Sequence, residues 1–358
     1  MLFSAVHTFF IFSILGAFGQ AAYLNQCEPN SWEKLSPLLS PRQEHGTVAL
    51  NETTIAILGG ITAERNVWAS TASMEFYDIP SNRWYTVTPA PMKVNHPNLA
   101  AVDGIIYLLG GLTEGPTVQE EAINWVATSE SYRYDPKLGV WERLEPMPPG
   151  TERGSALVGV HGDMIYLAGG MTVLQVSYQD TVSTVTAFNT TSGKWQRLPP
   201  LAANIPQGRQ HGFASVIDDA LYVIGGRWFG QMNVQDSVFV LELNNQAPGW
   251  QVSDASMPVA RGGLCGASIG CKIYAFGGEG NPNTYNGVFN QTEVFDTNGQ
   301  KWADLAPMAV PRHGTNAVAV GNRIYIPGGG LQQDAKPVVY GGVISLQNTT
   351  AYFDAFCS

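Results

Sequence analysis

A pair of glycines recurs six times along the chain, at Gly59-Gly60, Gly110-Gly111, Gly169-Gly170, Gly225-Gly226, Gly277-Gly278 and Gly328-Gly329, at intervals of 51 to 59 residues. A short strand of alternating character precedes each pair: TIAIL, IIYLL, MIYLA, LYVI, KIYAF and RIYIP. After each of the first five pairs come a loop, a further strand and a turn that closes on Trp84, Trp141, Trp195, Trp250 or Trp302, while Trp32 precedes the first pair by 27 residues. Four strands per unit at a period of about 50 residues predict β-propeller blades, because such a sheet cannot bury both faces until it is stacked in a ring. The 358 residues would suggest two domains by length alone; the repeat makes residues 23–358 one domain.

The strand expected innermost in each unit is built of small residues (GTVAL, NLAAV, SALVGV, FASV, CGASI, NAVAV), as crowding around an axis requires. Each tryptophan supplies an apolar wedge between neighbouring blades. On the Gly-Gly pairs, the aromatic before an Asp or Asn turn and the spaced tryptophans, the chain from Cys27 to Ser358 resembles the Kelch-repeat family. That resemblance implies an all-β, six-bladed Kelch propeller with four strands per blade and a ligand pocket at the channel mouth, where the loops leaving the Gly-Gly strands converge.

The sixth unit ends in TAYFDAFCS without a tryptophan, and the mature start, QCEPNSWEKL, has a tryptophan strand without a preceding turn. The N-terminal strand therefore completes the last blade. Aligned on the other units, Cys27 and Cys357 fall inside the same outer turn, which predicts a disulfide joining the chain ends. Cys265 is on an innermost strand and Cys271 near the turn of the same hairpin; they are not evidently opposite each other, so a bond and two thiols both remain open.

Residues 1–22 hold an apolar run from Thr8 to Phe18 followed by small residues. The run is too short to span a bilayer and reads as a secretory signal cleaved between Gly19 and Tyr23. Asn51, Asn189, Asn290 and Asn348 begin Asn-x-Thr acceptors, which behind a signal predict a glycoprotein of the secretory pathway, lumenal or extracellular. A net charge of -10 without a Lys/Arg cluster argues against nucleic acid and, once the signal is cleaved, against anionic membrane.

Counting back 14 or 15 residues from Gly-Gly brings His45, His96, His211 and His313 to one place, and Arg153 and Arg261 lie 16 residues upstream in the other two units. The expectation is a ring of six basic side chains at one mouth of the channel. The loops after Gly-Gly carry Trp68, Trp125, Arg227, Trp228, Phe229, Glu279, Tyr285 and Tyr340. Aromatic walls beside Arg and His suit a small, largely apolar molecule. No metalloprotease, phosphate-loop, nucleophile-elbow or dinucleotide motif is present. No metal and no cofactor are expected, because six blades would spread the histidines and no carboxylate occupies a matching position.

In length, signal, terminal closure and pocket character the chain resembles the secreted fungal Kelch hetero-Diels-Alderases of tropolonic sesquiterpenoid biosynthesis. The resemblance implies a cofactor-independent cycloaddition, with His211, His313 and Arg261 as hydrogen-bond donors and His45, His96, Arg153, Trp68, Trp125, Arg227, Trp228, Glu279 and Tyr285 shaping the substrate site. The competing reading is a non-enzymatic Kelch module that captures carbohydrate or protein. Sugar hydrolysis would need paired carboxylates, and only Glu279 is well placed.

Overall fold

In a computed structural model, which describes residues 27–64, 67–119, 121–333, 338–340, 343–345 and 349–358, every regular element that lies wholly within the described residues is a β-strand. The signal segment and Asn348 lie outside the described residues, and of Tyr340 only the backbone is described.

The strands form six four-stranded antiparallel blades. The first runs Gly46–Asn51, Thr54–Leu58, Met74–Asp78 and Arg83–Thr86 from axis to rim. In the second, Leu99–Val102, Ile105–Glu114, Asn124–Asp135 and Val140–Arg143 extend past the Gly-Gly and take Val173–Gln175 of the next blade as a fifth strand. The sixth is closed by the N-terminus: Ser31–Lys34 pairs with Phe353–Cys357, Ser31 opposite Cys357 and Lys34 opposite Asp354. Cys27 and Cys357 are bonded, with Cα atoms 5.8 Å apart and a sequence separation of 330. Cys265 and Cys271 are thiols, the first buried and the second half-buried.

The six tryptophans wedge as expected, and each has a further function. The indole N–H of Trp84 donates to Ser36 O, that of Trp141 to Thr88 O, Trp195 to Glu145 O, Trp250 to Ala202 O, Trp302 to Ala255 O and Trp32 to Ala306 O, over 2.9 to 3.5 Å. Each acceptor belongs to the segment leaving the preceding blade. One side chain thus fills the apolar gap and ties two blades, which satisfies a polar group that burial would otherwise penalise.

The Gly-Gly pairs leave the axis-facing hairpins with positive φ at both residues. A Cβ on Gly277 would stand 2.2 Å from Arg312 O of the next blade, so only glycine allows the strand end to approach its neighbour.

Candidate functional site

The segment entering each innermost strand carries one residue in the left-handed region: Glu44, His96, Ser155, His211, Gly263 and Gly314, with φ between 47° and 61°. These six, one per blade, are linked around the axis. The N–H of Glu44 donates to Gly314 O, His96 to Glu44 O, Ser155 to His96 O, His211 to Ser155 Oγ, Gly263 to His211 O and Gly314 to Gly263 O, over 2.6 to 3.0 Å. Each blade thus accepts one hydrogen bond from the next around the axis.

This ring corrects the expected one. Isolated bridges align Gln43, Asn95, Gly154, Gln210, Gly262 and His313 as equivalents, each paired with the residue that follows Gly-Gly in its blade. His313 therefore sits one place before the ring residue of its blade. His45 sits one place after, because the first blade's hairpin contains an extra residue at an irregularity between Ala49 and Asn51. His96 and His211 are true ring members, and Glu44 takes the ring position that counting assigned to His45.

Arg153 and Arg261 belong to another series. With Arg42, Arg209 and Arg312 they are wholly buried and reach sideways into their own blades. Arg42 pairs with Glu75, Arg261 with Glu293 at 2.7 Å and Arg312 with Asp354; Arg153 donates to Thr186 Oγ1 and Leu167 O, and Arg209 to Ser237 Oγ and Gly225 O. A buried guanidinium needs this many acceptors. The geometry does not bring Arg153 and Arg261 to the mouth.

On the axis, His96 Nε2 lies 3.0 Å from His211 Nε2, and Glu44 Oε2 is 3.3 Å from the first and 3.8 Å from the second. The ground for excluding a metal, dispersed histidines without a carboxylate, does not hold in three dimensions. Glu44 has room because a Cβ at Gly314 would fall 2.3 Å from its Oε1. Burial pushes the Glu44 carboxyl up, against the pull of His313 and Arg227. Burial also brings His96 down to about 3 and His211 well below the ordinary imidazole value, helped in both by the Arg227 charge, so both rings are neutral at physiological pH. His45, brought to about 3 by burial and Arg42, lines the axial cavity just inside the ring with Pro97, Ala156 and Thr315.

Around this centre the mouth is divided. Over the first three blades the post-Gly-Gly residues Ile61, Leu112 and Met171 pack with Trp125 and Leu174 into an apolar cover, with Trp68 against it. Trp125 is only 3% exposed, and its ring centre lies 6.3 Å from that of His96. Over the last three blades the equivalent residues are Arg227, Glu279 and Gly330. Arg227 pairs with Glu279, Glu279 Oε1 lies 3.2 Å from His313 Nδ1, and His313 Nε2–H donates to Gln332 O. Arg227 also donates to Gln231 Oε1 at 2.8 Å and Gln179 Oε1 at 3.4 Å. Trp228 and Phe229 are exposed at the rim, in contact edge to face, and Tyr285 is fully exposed.

The structure therefore brings together His96, His211, His313, Arg227, Glu279 and Trp125, keeps Trp68 and His45 beside them, and leaves Trp228 and Tyr285 at the rim. The sequence reading missed Glu44, Ser155 and the amides of Asn95 and Gln210. Asn51 and Asn290 are exposed, whereas the Asn189 amide donates to Asp163.

A model of the KLHDC2/KLHL20/DRC7 Kelch-repeats domain matches residues 16–226 and 175–353. Kelch-like protein terF of Aspergillus terreus is 37% identical over 324 residues, 87% of this chain and 67% of that protein. Kelch-like protein 15 of Mus musculus is 25% identical over 268 residues, and alpha-scruin of Limulus polyphemus 24% over 213. The chain spans 40% and 22% of the lengths of these last two.

Proposed function

The chain belongs to the Kelch-repeat family, and from that premise we propose that its axial mouth binds a small, largely apolar molecule and catalyses a hetero-Diels-Alder cycloaddition. The observation that carries the reading is the seam at the axis, where Trp125 and its apolar neighbours meet Glu44, His96, His211 and the Arg227–Glu279–His313 cluster. Such a reaction needs no covalent bond to the protein. An apolar wall that holds diene and dienophile in a near-attack arrangement supplies effective molarity, worth several kcal/mol. A donor on the opposite side stabilises charge growing on the heterodiene oxygen.

Arg227 takes the donor role that the sequence reading gave to Arg261, with His313 beside it through Glu279; His211, whose Nδ1–H is committed to Gln210 Oε1, lines the site with its Nε2 lone pair and does not donate. Identity of 37% to a fungal Kelch-like protein supports the resemblance to the fungal cycloaddition enzymes. We place the protein in the secretory pathway, a reading compatible with the Cys27–Cys357 disulfide and the exposed Asn51 and Asn290 sequons.

Purified protein should raise the rate or change the product ratio of cycloaddition between a quinone methide and a polyene alcohol. R227A should lose roughly 10²-fold in rate, the cost of deleting one transition-state donor. Unchanged kinetics together with signals on a glycan or peptide array would replace this reading by the binding module, for which the exposed Trp228 and Phe229 would be the contact surface.

A further inference from the structure

We propose that Glu44, His96 and His211 form a binding site on the propeller axis for one divalent transition-metal ion of the zinc class. The argument begins one residue upstream of each histidine. His96 Nδ1 lies 2.6 Å from Asn95 Oδ1, and His211 Nδ1 contacts Gln210 Oε1. An amide oxygen only accepts, so each Nδ1 carries the hydrogen and each Nε2 presents a lone pair.

The amides are themselves oriented. Arg227 can only donate, so Gln179 turns Oε1 toward it; Gln210 Nε2 then donates to the same Oε1 at 3.3 Å, leaving Gln210 Oε1 to face His211. Asn95 Nδ2 lies 2.8 Å from Ser70 Oγ, a hydroxyl that accepts from it while Oδ1 faces His96. Two imidazole lone pairs and a carboxylate oxygen thus converge on one point, an arrangement that a cation stabilises and that is repulsive without a cation or a shared proton.

The spacing agrees. Ligand atoms sharing a tetrahedral zinc, with bonds of about 2.0–2.1 Å, stand about 3.3 Å apart. The three separations here are 3.0, 3.3 and 3.8 Å, and the three side chains form a group whose ligand atoms are mutually within reach of one ion. Imidazole with carboxylate favours zinc, cobalt or nickel over calcium or magnesium. The outer Nδ1–H to amide contacts are the kind that hold metal-binding histidines in tautomer and orientation. Each ligand comes from a different blade at the same ring position, and its neighbours in the ring are Ser155, Gly263 and Gly314, whose small size leaves a fourth coordination position for water or a substrate oxygen.

The test uses the full mature protein, stripped with chelator and titrated calorimetrically with zinc, and with cobalt followed by its visible absorption. Saturable binding of one equivalent, with the absorption of a low-coordinate nitrogen and oxygen site, is expected. E44Q and H211N should each weaken binding on the order of 100-fold, and Q210A by roughly 10- to 100-fold through loss of orientation. D219N, at the surface partner of His161, should bind as the parent does, and circular dichroism of each variant checks its fold. Absence of saturable binding to folded protein, or binding undiminished in both E44Q and H211N, would overturn the proposal in favour of an imidazole pair that shares a proton. No cycloaddition substrate enters the measurement, so its failure and failure of the catalytic reading are separately visible.

Discussion

Glu44, His96 and His211 reach the axis by way of a backbone conformation that side chains rarely adopt. The left-handed region costs a residue with a Cβ roughly 1–2 kcal/mol, and the fifth and sixth blades avoid that cost with Gly263 and Gly314. Three polar side chains stand where two other blades use glycine, and the strain they carry is what the proposed axial site would offset. The strain can be measured apart from the side-chain contacts. H211A and H211G both remove the imidazole, but only H211A keeps a Cβ at φ 53°. H211G should therefore be the more stable of the two by about 1 kcal/mol in urea denaturation. Equal stability, or an advantage for alanine, would mean that the ring relaxes when the imidazole leaves.

The ring residues were nearly legible in the sequence. His96 and His211 stand 14 residues before Gly-Gly, as do Ser155, Gly263 and Gly314, so the right count finds five of the six positions. The first blade defeated it: its turn, Glu52-Thr53, is as short as Asp103-Gly104 of the second blade, but its innermost strand carries one extra residue at the irregularity between Ala49 and Asn51. That single insertion hid Glu44 behind His45. A one-residue slip exchanges the faces of a strand, which is why spacing alone could not separate a ring position from its neighbours.

Within a blade, the link between the axis and the sheet is the buried arginine that precedes the innermost strand. The shared offset of Arg153 and Arg261 from Gly-Gly was legible, and their purpose was not, because acceptors lie on the third strand, 33 residues away for Arg153 and Thr186 and 32 for Arg261 and Glu293. Arg261 is fully buried, its guanidinium bonded to Glu293 and lying over the Phe289 ring. R261A strands a buried carboxylate and should destabilise the fold by roughly 3–5 kcal/mol. The double variant R261M/E293L removes both charges and should recover most of that loss. If R261A were fully stable yet inactive, Arg261 would return to the catalytic group; recovery in the double variant marks it as the element that docks the third strand.

For the whole molecule, the ring is only as closed as its last sheet. Ser31–Lys34 is a four-residue strand held by its ladder to Phe353–Cys357, by the Trp32 indole on Ala306 O and by Asn30 Oδ1 accepting from Ala306 N–H. So short an edge frays readily, and the disulfide prevents it from leaving. The pairing was legible because the repeat placed both cysteines in one turn, a constraint that Cys265 and Cys271 lacked. Opening a crosslink across 330 residues releases a large loop in the unfolded chain, and loss of such a bond costs roughly 2–5 kcal/mol. C27S/C357S should therefore unfold at lower urea by that amount. Thiol counting tests the same assignment without mutation. Burial pushes the Cys265 thiol up to about 12, so at pH 8 it has almost no thiolate to react with iodoacetamide; native protein should leave it unmodified while the half-buried Cys271 is the accessible thiol. Urea without reductant should expose both of these thiols and neither terminal cysteine, and adding reductant should bring Cys27 and Cys357 into the count. Alkylation of Cys27 in the non-reduced unfolded chain would show the ring closed by strand pairing and Trp32 alone.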